Sequence, residues 1–211
     1  MSQVDVAWLI GAGFVVLTGQ FLGNALQSYG AKLSSPVGTF AQASSTADNY
    51  AVIWGIGKLA DASIVCVCWW LVSFALALGR DDSLMAGVSL YSLIGIRDDS
   101  GGYALMFYSF CLALAACSIV TEAMADYSTV LSMHSTHRVT LLVYLLAVFP
   151  IIFHWAWSDH GWASPFRSAS KSSLLAGCGV IDTAGSGVVH LSAGVAAGAV
   201  QTLLDFSRWH R

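Results

Sequence analysis

The chain has 211 residues, of which 56% are hydrophobic and only 10% are charged. Soluble globular domains carry about 25% charged residues, so this composition leaves too little polar surface for a water-soluble fold and indicates an integral membrane protein. The formal net charge of −3 and the lack of a basic patch in the sequence argue against nucleic-acid binding.

Five apolar segments are long enough to cross a bilayer, which takes about 20 residues. In chain order they cover residues 6–26, 51–78, 103–124, 139–157 and 180–204. Polar linkers separate them, and the sequence shows no internal repeat and no second domain. We therefore predict an all-α, multi-pass membrane protein with five transmembrane helices, formed by one transmembrane domain over residues 1–211.

Two of these segments contain residues that are unusual inside a membrane. The second carries Lys58 and Asp61, which lie three positions apart and can form an ion pair on one helix face. The fourth contains Pro150, which is predicted to bend the helix because proline lacks an N–H and its ring clashes with the preceding turn.

The sequence offers no pattern typical of an enzyme or of a metal site. Four of the five cysteines lie in apolar segments, where cysteine usually acts as a small buried hydrophobe, and we predict no disulfide. The histidines near the segment ends do not follow the spacing of metal ligands. We predict no catalytic residues, no metal and no cofactor.

The fifth segment is a small-residue helix with one acid at its start, Asp182, and one imidazole about two turns further on, His190. An ionisable side chain inside a membrane span is costly and marks a candidate functional site. At 3.6 residues per turn, His190 shares a stripe with three glycines. These are Gly187, Gly194 and Gly198. The stripe predicts that this face packs closely against a neighbouring helix rather than against lipid.

Three stretches resemble the ammonium transporter family, which includes the Rhesus-type proteins, and they are most similar to its plant-type branch. Residues 154–164 read His-Trp-Ala-Trp-Ser-Asp-His-Gly-Trp-Ala-Ser, and residues 182–190 read Asp-Thr-Ala-Gly-Ser-Gly-Val-Val-His. The third stretch is the glycine-rich helix that follows. Weaker similarity in the first two segments extends the resemblance over nearly the whole chain.

The family fold consists of about eleven spans, built as two inverted five-helix repeats and a last helix, and such repeats place the substrate site at their interface. The resemblance implies that this chain corresponds to the first, N-terminal repeat only. The second pore histidine and the second gate aromatic belong to the other repeat, so they are not expected in this chain.

The resemblance implies roles in ammonium binding for three residues. His190 resembles the first of two pore histidines, Asp182 the buried acid below the recruitment site, and Trp157 the aromatic residue at the pore mouth. A cation over an aromatic face gains about 0.5–2 kcal/mol. Each residue also has a structural alternative: a histidine bonded to a neighbouring helix, an acid favoured by the helix dipole, and a tryptophan anchored at the membrane interface.

Two positions depart from the family pattern. Leu112 occupies the position of the phenylalanine gate in the third helix, and Tyr127 replaces the arginine of an Ala-Glu-Arg signature. These departures favour a non-transporting structural subunit of a larger membrane assembly, without a complete ammonium pore of its own.

The partners expected for such a subunit are the lipid bilayer and other membrane subunits that cover the fifth helix. Ammonium is a candidate ligand. The alternative function is a half-transporter, which completes a conduit for ammonium or ammonia by pairing with a second half or with an inverted copy of itself.

Overall fold

The computed structural model describes residues 3–34, 57–79, 90–94, 101–124, 133–167 and 174–209, and these ranges form helices, turns and loops without a strand. Helix α1 is Gln3–Ser34, α2 is Gly57–Leu78 and α3 is Gly101–Glu122. Helix α4 consists of Met133–Val143, Tyr144–Val148 and Phe149–Trp157 in direct succession. Helix α5 consists of Ser186–Leu191 and Ser192–Trp209.

Four stretches of the described residues are long and apolar enough to cross a membrane. They are Gly57–Leu78, Gly101–Glu122, Thr136–Trp157 and Thr183–Ser207. The four corresponding predictions are confirmed in length and composition. Helix α1 has 32 residues, but its apolar stretch Asp5–Gln20 is shorter than these four, so the first span remains a prediction. Residues 51–56 of the predicted second span lie outside the described ranges, and so does Tyr127.

Helix α3 contacts α1, α4 and α5 and lies at the centre of the described bundle. Its buried positions are occupied mainly by alanine and cysteine, including Ala113, Ala116 and Cys117. Small side chains let membrane helices approach closely, which favours packing where lipid removes the hydrophobic driving force between helices. All five cysteines of the chain are free thiols in the structure.

An aromatic cluster fills the interface between α2 and α4. Trp69, Phe149 and Phe153 are fully buried or nearly so, and their ring centroids lie 5.8 to 6.2 Å apart at inclined angles. Inclined arrangements suit the quadrupoles of aromatic rings and stabilise the pair beyond the area that they bury. This cluster holds the end of α4, where the candidate site lies.

Three of the described spans contain a π-helical segment. These segments are Trp69–Ser73 in α2, Tyr144–Val148 in α4 and Ser186–Leu191 in α5. The one in α4 directly precedes the turn that contains Pro150. Proline cannot donate to the carbonyl one turn back, and its ring needs extra room there. The wider π turn before Pro150 offers room for both, and the bend predicted at Pro150 stays a prediction.

Hydrogen bonds between side chains and backbone link the three π segments. Ser73 donates from its hydroxyl to the carbonyl oxygen of Leu145 over 3.0 Å in the buried interface. The hydroxyl of Tyr144 lies 2.8 Å from that of Ser192, which donates to the carbonyl oxygen of Val188. Polar side chains therefore satisfy backbone oxygens in the places where the regular helical ladder is interrupted.

The charged residues of α2 have partners on other helices. The ammonium group of Lys58 lies 3.4 Å from a carboxylate oxygen of Glu122 in α3, and a carboxylate oxygen of Asp61 lies 2.9 Å from Nε2 of His137 in α4. From the sequence, a pair between Lys58 and Asp61 within α2 was geometrically available, because spacing along one helix reports only local neighbours. The observed pairs fix α2 to α3 and α4.

Candidate functional site

The turn before α5 determines where that helix begins. Ala184 and Gly185 have φ angles of +55° and +71°, a left-handed conformation that interrupts a helix and favours glycine. Helix α5 therefore starts with its π segment at Ser186, later than the predicted position 180. Asp182 lies before the turn with an extended backbone.

The carboxylate of Asp182 caps the start of α5. Its Oδ1 accepts hydrogen bonds from the backbone N–H of Gly187 over 2.6 Å and from the hydroxyl of Ser186 over 3.1 Å. Its Oδ2 accepts from the backbone N–H of Val188 over 3.2 Å. First-turn N–H groups have no partner within a helix, so the carboxylate satisfies two of them and complements the helix dipole.

Gly187 has a role in this cap that the sequence did not predict. A β-carbon at position 187 would lie 3.2 Å from Oδ1 of Asp182, so the absence of a side chain lets the carboxylate approach the backbone. The sequence predicted that Gly187 would pack against a neighbouring helix. Among the described residues, the carboxylate of Asp182, rather than a neighbouring helix, lies next to Gly187.

Removing the cap is expected to destabilise the protein. Asp182→Ala leaves two N–H groups without an acceptor and should lower the free energy of unfolding by about 1–2 kcal/mol. Asp182→Asn should recover part of the loss, because its amide oxygen still accepts a hydrogen bond. Unfolding in mixed detergent micelles, followed by circular dichroism, measures the change.

Asp159→Ala is the matched control, since this aspartate lies in the same loop region with 75% of its side chain exposed. We expect it to change the free energy of unfolding by less than about 0.5 kcal/mol. Equal effects of the two alanine variants would show that Asp182 does not act as a cap.

A half-open cavity of about 350 Å³ lies beside Asp182. It is formed at one end of the bundle by the last residues of α2 and α4, the early part of α3, α1, and the loop that leads to α5. Its lining consists of Leu9, Leu78, Leu105, Tyr108, Phe153, Trp157, Pro165, Phe166, Val180, Ile181 and Asp182. The structure thus brings together two of the three residues predicted to bind ammonium, Trp157 and Asp182.

Trp157 forms part of the cavity wall. Its ring centroid lies 4.9 Å from that of Phe153 in an edge-to-face arrangement. The turn before α5 also reaches the ring, because a β-carbon at Gly185 would lie 3.9 Å from the Cη2 atom of Trp157. These contacts place the indole between α4 and the start of α5, in a position where it can contact a bound cation.

His190 does not belong to this cavity. It lies on an exposed face of α5 beside Leu191 and Val195, which are 66% and 64% exposed. Gly194 and Gly198 are exposed on the same helix, and a β-carbon added to either would have no atom within 4 Å. No helix of the described ranges packs on these glycines, so the neighbouring helix predicted for them is not supplied by this part of the chain.

Leu112 is 7% exposed and lies in the main apolar core rather than in the cavity. Tyr108, one turn earlier in α3, lines the cavity instead. Sequence reasoning missed Tyr108, Phe153 and Phe166 as lining residues. The spacing of four between Phe153 and Trp157 was a usable signal for a shared helix face, whereas Phe166 comes from a loop whose course only the structure shows.

Sequence comparison identifies the family. Residues 35–205 match the family model described as Ammonium Transporter Family. Ammonium transporter 1 member 1 of Solanum lycopersicum is 36% identical over 140 residues, which are 64% of this chain and 26% of that protein. Ammonium transporter 1 member 1 of Arabidopsis thaliana is 34% identical over 140 residues, with the same coverage of 64% and 26%. The chain spans about a quarter of the length of these curated relatives.

Two solved structures share the fold. A structure described as a sensor Amt protein aligns with a TM-score of 0.61 and 21% identity, over 88% of this chain and 40% of that one. The N240A mutant of Candida albicans Mep2 aligns with a TM-score of 0.59 and 18% identity, over 94% and 38% of the two chains. The resemblance seen in the sequence, including its plant-type character, is confirmed. The chain is a multi-pass integral membrane protein that belongs to the ammonium transporter family, a family of transporters rather than enzymes.

Proposed function

We propose that this chain acts as a non-transporting structural subunit of a larger membrane assembly and has no complete ammonium pore of its own. The observation that carries the proposal is the face of α5 formed by His190, Leu191, Gly194, Val195 and Gly198, here named the open face. In a membrane, ionisable side chains almost always face protein or a water-filled cavity. The open face is therefore better suited to contact with protein than with acyl chains.

The shape of the open face also suits a partner helix. Gly194 and Gly198 leave a shallow groove, since no atom lies within 4 Å of an added β-carbon at either position. Glycines spaced four residues apart let two helix backbones approach closely in membranes. The neighbouring side chains of Leu191 and Val195 are exposed and apolar, so they supply contact area along one side of the groove.

The separation of the candidate ammonium-binding residues supports a non-transporting role. Trp157 and Asp182 line the cavity, whereas His190 lies on the open face outside it. Leu112, at the position of the family gate, is a core residue instead of an aromatic ring at the cavity. In the described residues, His190 does not line the cavity, so the two do not form one enclosed path for ammonium.

A half-transporter remains the second candidate, and one observation favours it. The cavity combines aromatic rings with a carboxylate, which is a suitable lining for a cation. If a second half covered the open face, His190 would lie inside the resulting interface. Both candidate functions require a partner that covers the open face. They differ in whether ammonium passes through the resulting interface.

Cross-linking in the native membrane tests the proposal. A photo-reactive amino acid at Val195 should form a covalent product with one companion protein, recovered in fixed stoichiometry after mild detergent extraction. The same substitution at Val67 is the control, because that side chain is 52% exposed on α2, away from the open face. We expect no stoichiometric product from Val67.

Flux measurement separates the two candidates. The purified chain in liposomes with an entrapped pH-sensitive dye should show no ammonium-dependent signal. A signal that is lost in His190→Ala would establish the half-transporter instead. Recovery of the protein without any stoichiometric companion, and without a product at Val195, would contradict the structural subunit.

A further inference from the structure

We propose that the three π segments act as one conformational unit, here named the π layer, which couples the open face of α5 to the interface between α2 and α4. The π layer comprises Trp69–Ser73, Tyr144–Val148 and Ser186–Leu191. His190 and Leu191 of the open face belong to its third segment. The unit lies within this chain, so its existence does not depend on which partner covers the open face.

The π segment of α4 leaves one carbonyl oxygen out of the helical ladder. The N–H of Phe149 donates to the oxygen of Tyr144, five residues earlier, and so passes over the oxygen of Leu145. In lipid no water reaches such an oxygen, so a donor within the protein must satisfy it. That donor is the hydroxyl of Ser73, a fully buried side chain of the π segment in α2. The π segment of α4 therefore depends on a residue of the π segment in α2.

The π segment of α5 has the same feature. The N–H of Ser192 donates to the oxygens of Gly187 and Val189. It passes over the oxygen of Val188, which accepts from the Ser192 hydroxyl instead. Because the single proton of that hydroxyl is engaged, the phenol of Tyr144 must be the donor in its 2.8 Å contact with Ser192. A directed chain of hydroxyl groups thus runs from the π segment of α4 into that of α5.

These hydrogen bonds make the state of one π segment depend on the next. A π turn contains one residue more than an α turn, so a return to the α pattern rotates the preceding part of the helix by about 100°. The skipped oxygen would then accept from a backbone N–H, and its hydroxyl donor would lose its acceptor. A buried hydroxyl without an acceptor is costly. A change in one segment therefore favours a change in its neighbour, which is the physical requirement for coupling between two sites.

The open face and the α2–α4 interface are the two ends of this connection. His190 and Leu191 lie within the π turn of α5, directly before Ser192. A helix that docks on them bears on the backbone of the turn that contains the skipped oxygen, and so biases its geometry. At the other end, Ser73 lies in the buried interface of α2 with α4. Occupation of the open face is therefore linked to the conformation of α2 at that interface.

Hydrogen–deuterium exchange of the purified full chain in nanodiscs tests the coupling. Ser73→Ala removes the donor to Leu145, and we expect amide exchange at residues 186–192 of α5 to accelerate at least about threefold. Ser63→Ala is the matched control, because this hydroxyl donates over 2.8 Å to the oxygen of Leu59 within α2 itself. It should leave α5 unchanged. Exchange in α5 that does not respond to Ser73→Ala would overturn the proposal.

A double variant distinguishes coupling from a general loosening of the bundle. Ser192→Ala should itself accelerate exchange at residues 186–192, and its effect should be at least about twofold smaller when Ser73→Ala is already present. Combined with Ser63→Ala, it should keep its full effect. If the single effects multiply in both combinations, the π segments behave independently and the proposal is wrong.

Two conservative variants provide the same test if Ser73→Ala does not fold. Ser73→Thr retains a hydroxyl donor and should show the exchange of the parent protein. Tyr144→Phe retains the ring and removes only the phenolic donor to Ser192. Since its segment is bonded to both other segments, exchange should rise at residues 69–73 as well as at residues 186–192. A rise confined to residues 186–192 would limit the effect to the direct contact and contradict the coupling.

Discussion

Gly161→Ala is expected to destabilise the protein by about 3 kcal/mol or more, enough to deplete the folded form. An added β-carbon would lie 2.0 Å from the carbonyl oxygen of His154 and 2.5 Å from that of Trp155. Both are backbone atoms in the last turn of α4, and neither can move aside as a flexible side chain could. To avoid the clash, the backbone must either widen this turn or lose its helical conformation.

The turn cannot open without loss, because both carbonyl groups are hydrogen-bonded. That of His154 accepts from the N–H of Ser158 over 3.2 Å, and that of Trp155 accepts from the N–H of Ala163 over 3.1 Å. The ring of His154 also holds this turn against α2, because its Nδ1 lies within hydrogen-bonding distance, 3.0 Å, of the carbonyl oxygen of Ala77. Displacing the end of α4 would also displace the wall of the cavity.

Gly19→Ala is the matched control for this prediction. Gly19 lies within α1, and a β-carbon there would have no atom within 4 Å. Alanine in a helix is favoured over glycine by about 0.5–1 kcal/mol, so this variant should be as stable as the parent or more so. The fraction of monodisperse protein in detergent and the midpoint of unfolding measure both variants. Similar midpoints for the two would contradict the clash at Gly161.

The sequence predicted four of the five spans in length and composition, because the bilayer thickness sets the length of an apolar span. It did not predict the π segments, since one extra residue per turn hardly alters the pattern of an apolar stretch. The i, i+3 spacing of Lys58 and Asp61 likewise suggested a local pair, while helix packing supplied Glu122 and His137 as partners. Contacts between helices depend on their crossing geometry, which local spacing does not encode.

The candidate site was predictable only in part for the same reason. Family motifs pointed to Trp157 and Asp182, and the structure places both on one cavity. The motif could not show that the Asp182 carboxylate accepts hydrogen bonds from Ser186, Gly187 and Val188 at the start of α5. This cap depends on the turn at Ala184 and Gly185. Nor could it show Tyr108, whose ring packs against that of Trp8 in α1 at a centroid distance of 6.2 Å.

Gly198→Leu is expected to leave the purified chain nearly unchanged and to disrupt the assembly in the native membrane. In the purified chain it should change the free energy of unfolding by less than about 0.5 kcal/mol, because an added β-carbon has no atom within 4 Å. In the native membrane it should reduce recovery of the companion protein at least about tenfold. A leucine side chain would fill the groove on the open face and hold a partner helix away.

The comparison with Gly19→Leu determines whether the open face contacts protein or lipid. Both glycines are exposed helix positions with no atom near an added β-carbon, so lipid contact alone predicts equal behaviour. A companion on the open face predicts loss of recovery for Gly198→Leu only. If both variants retain the companion, the partner does not use the glycine groove. If Gly198→Leu destabilises the purified chain, the groove is filled by this chain itself, and His190 needs no other subunit to shield it from acyl chains.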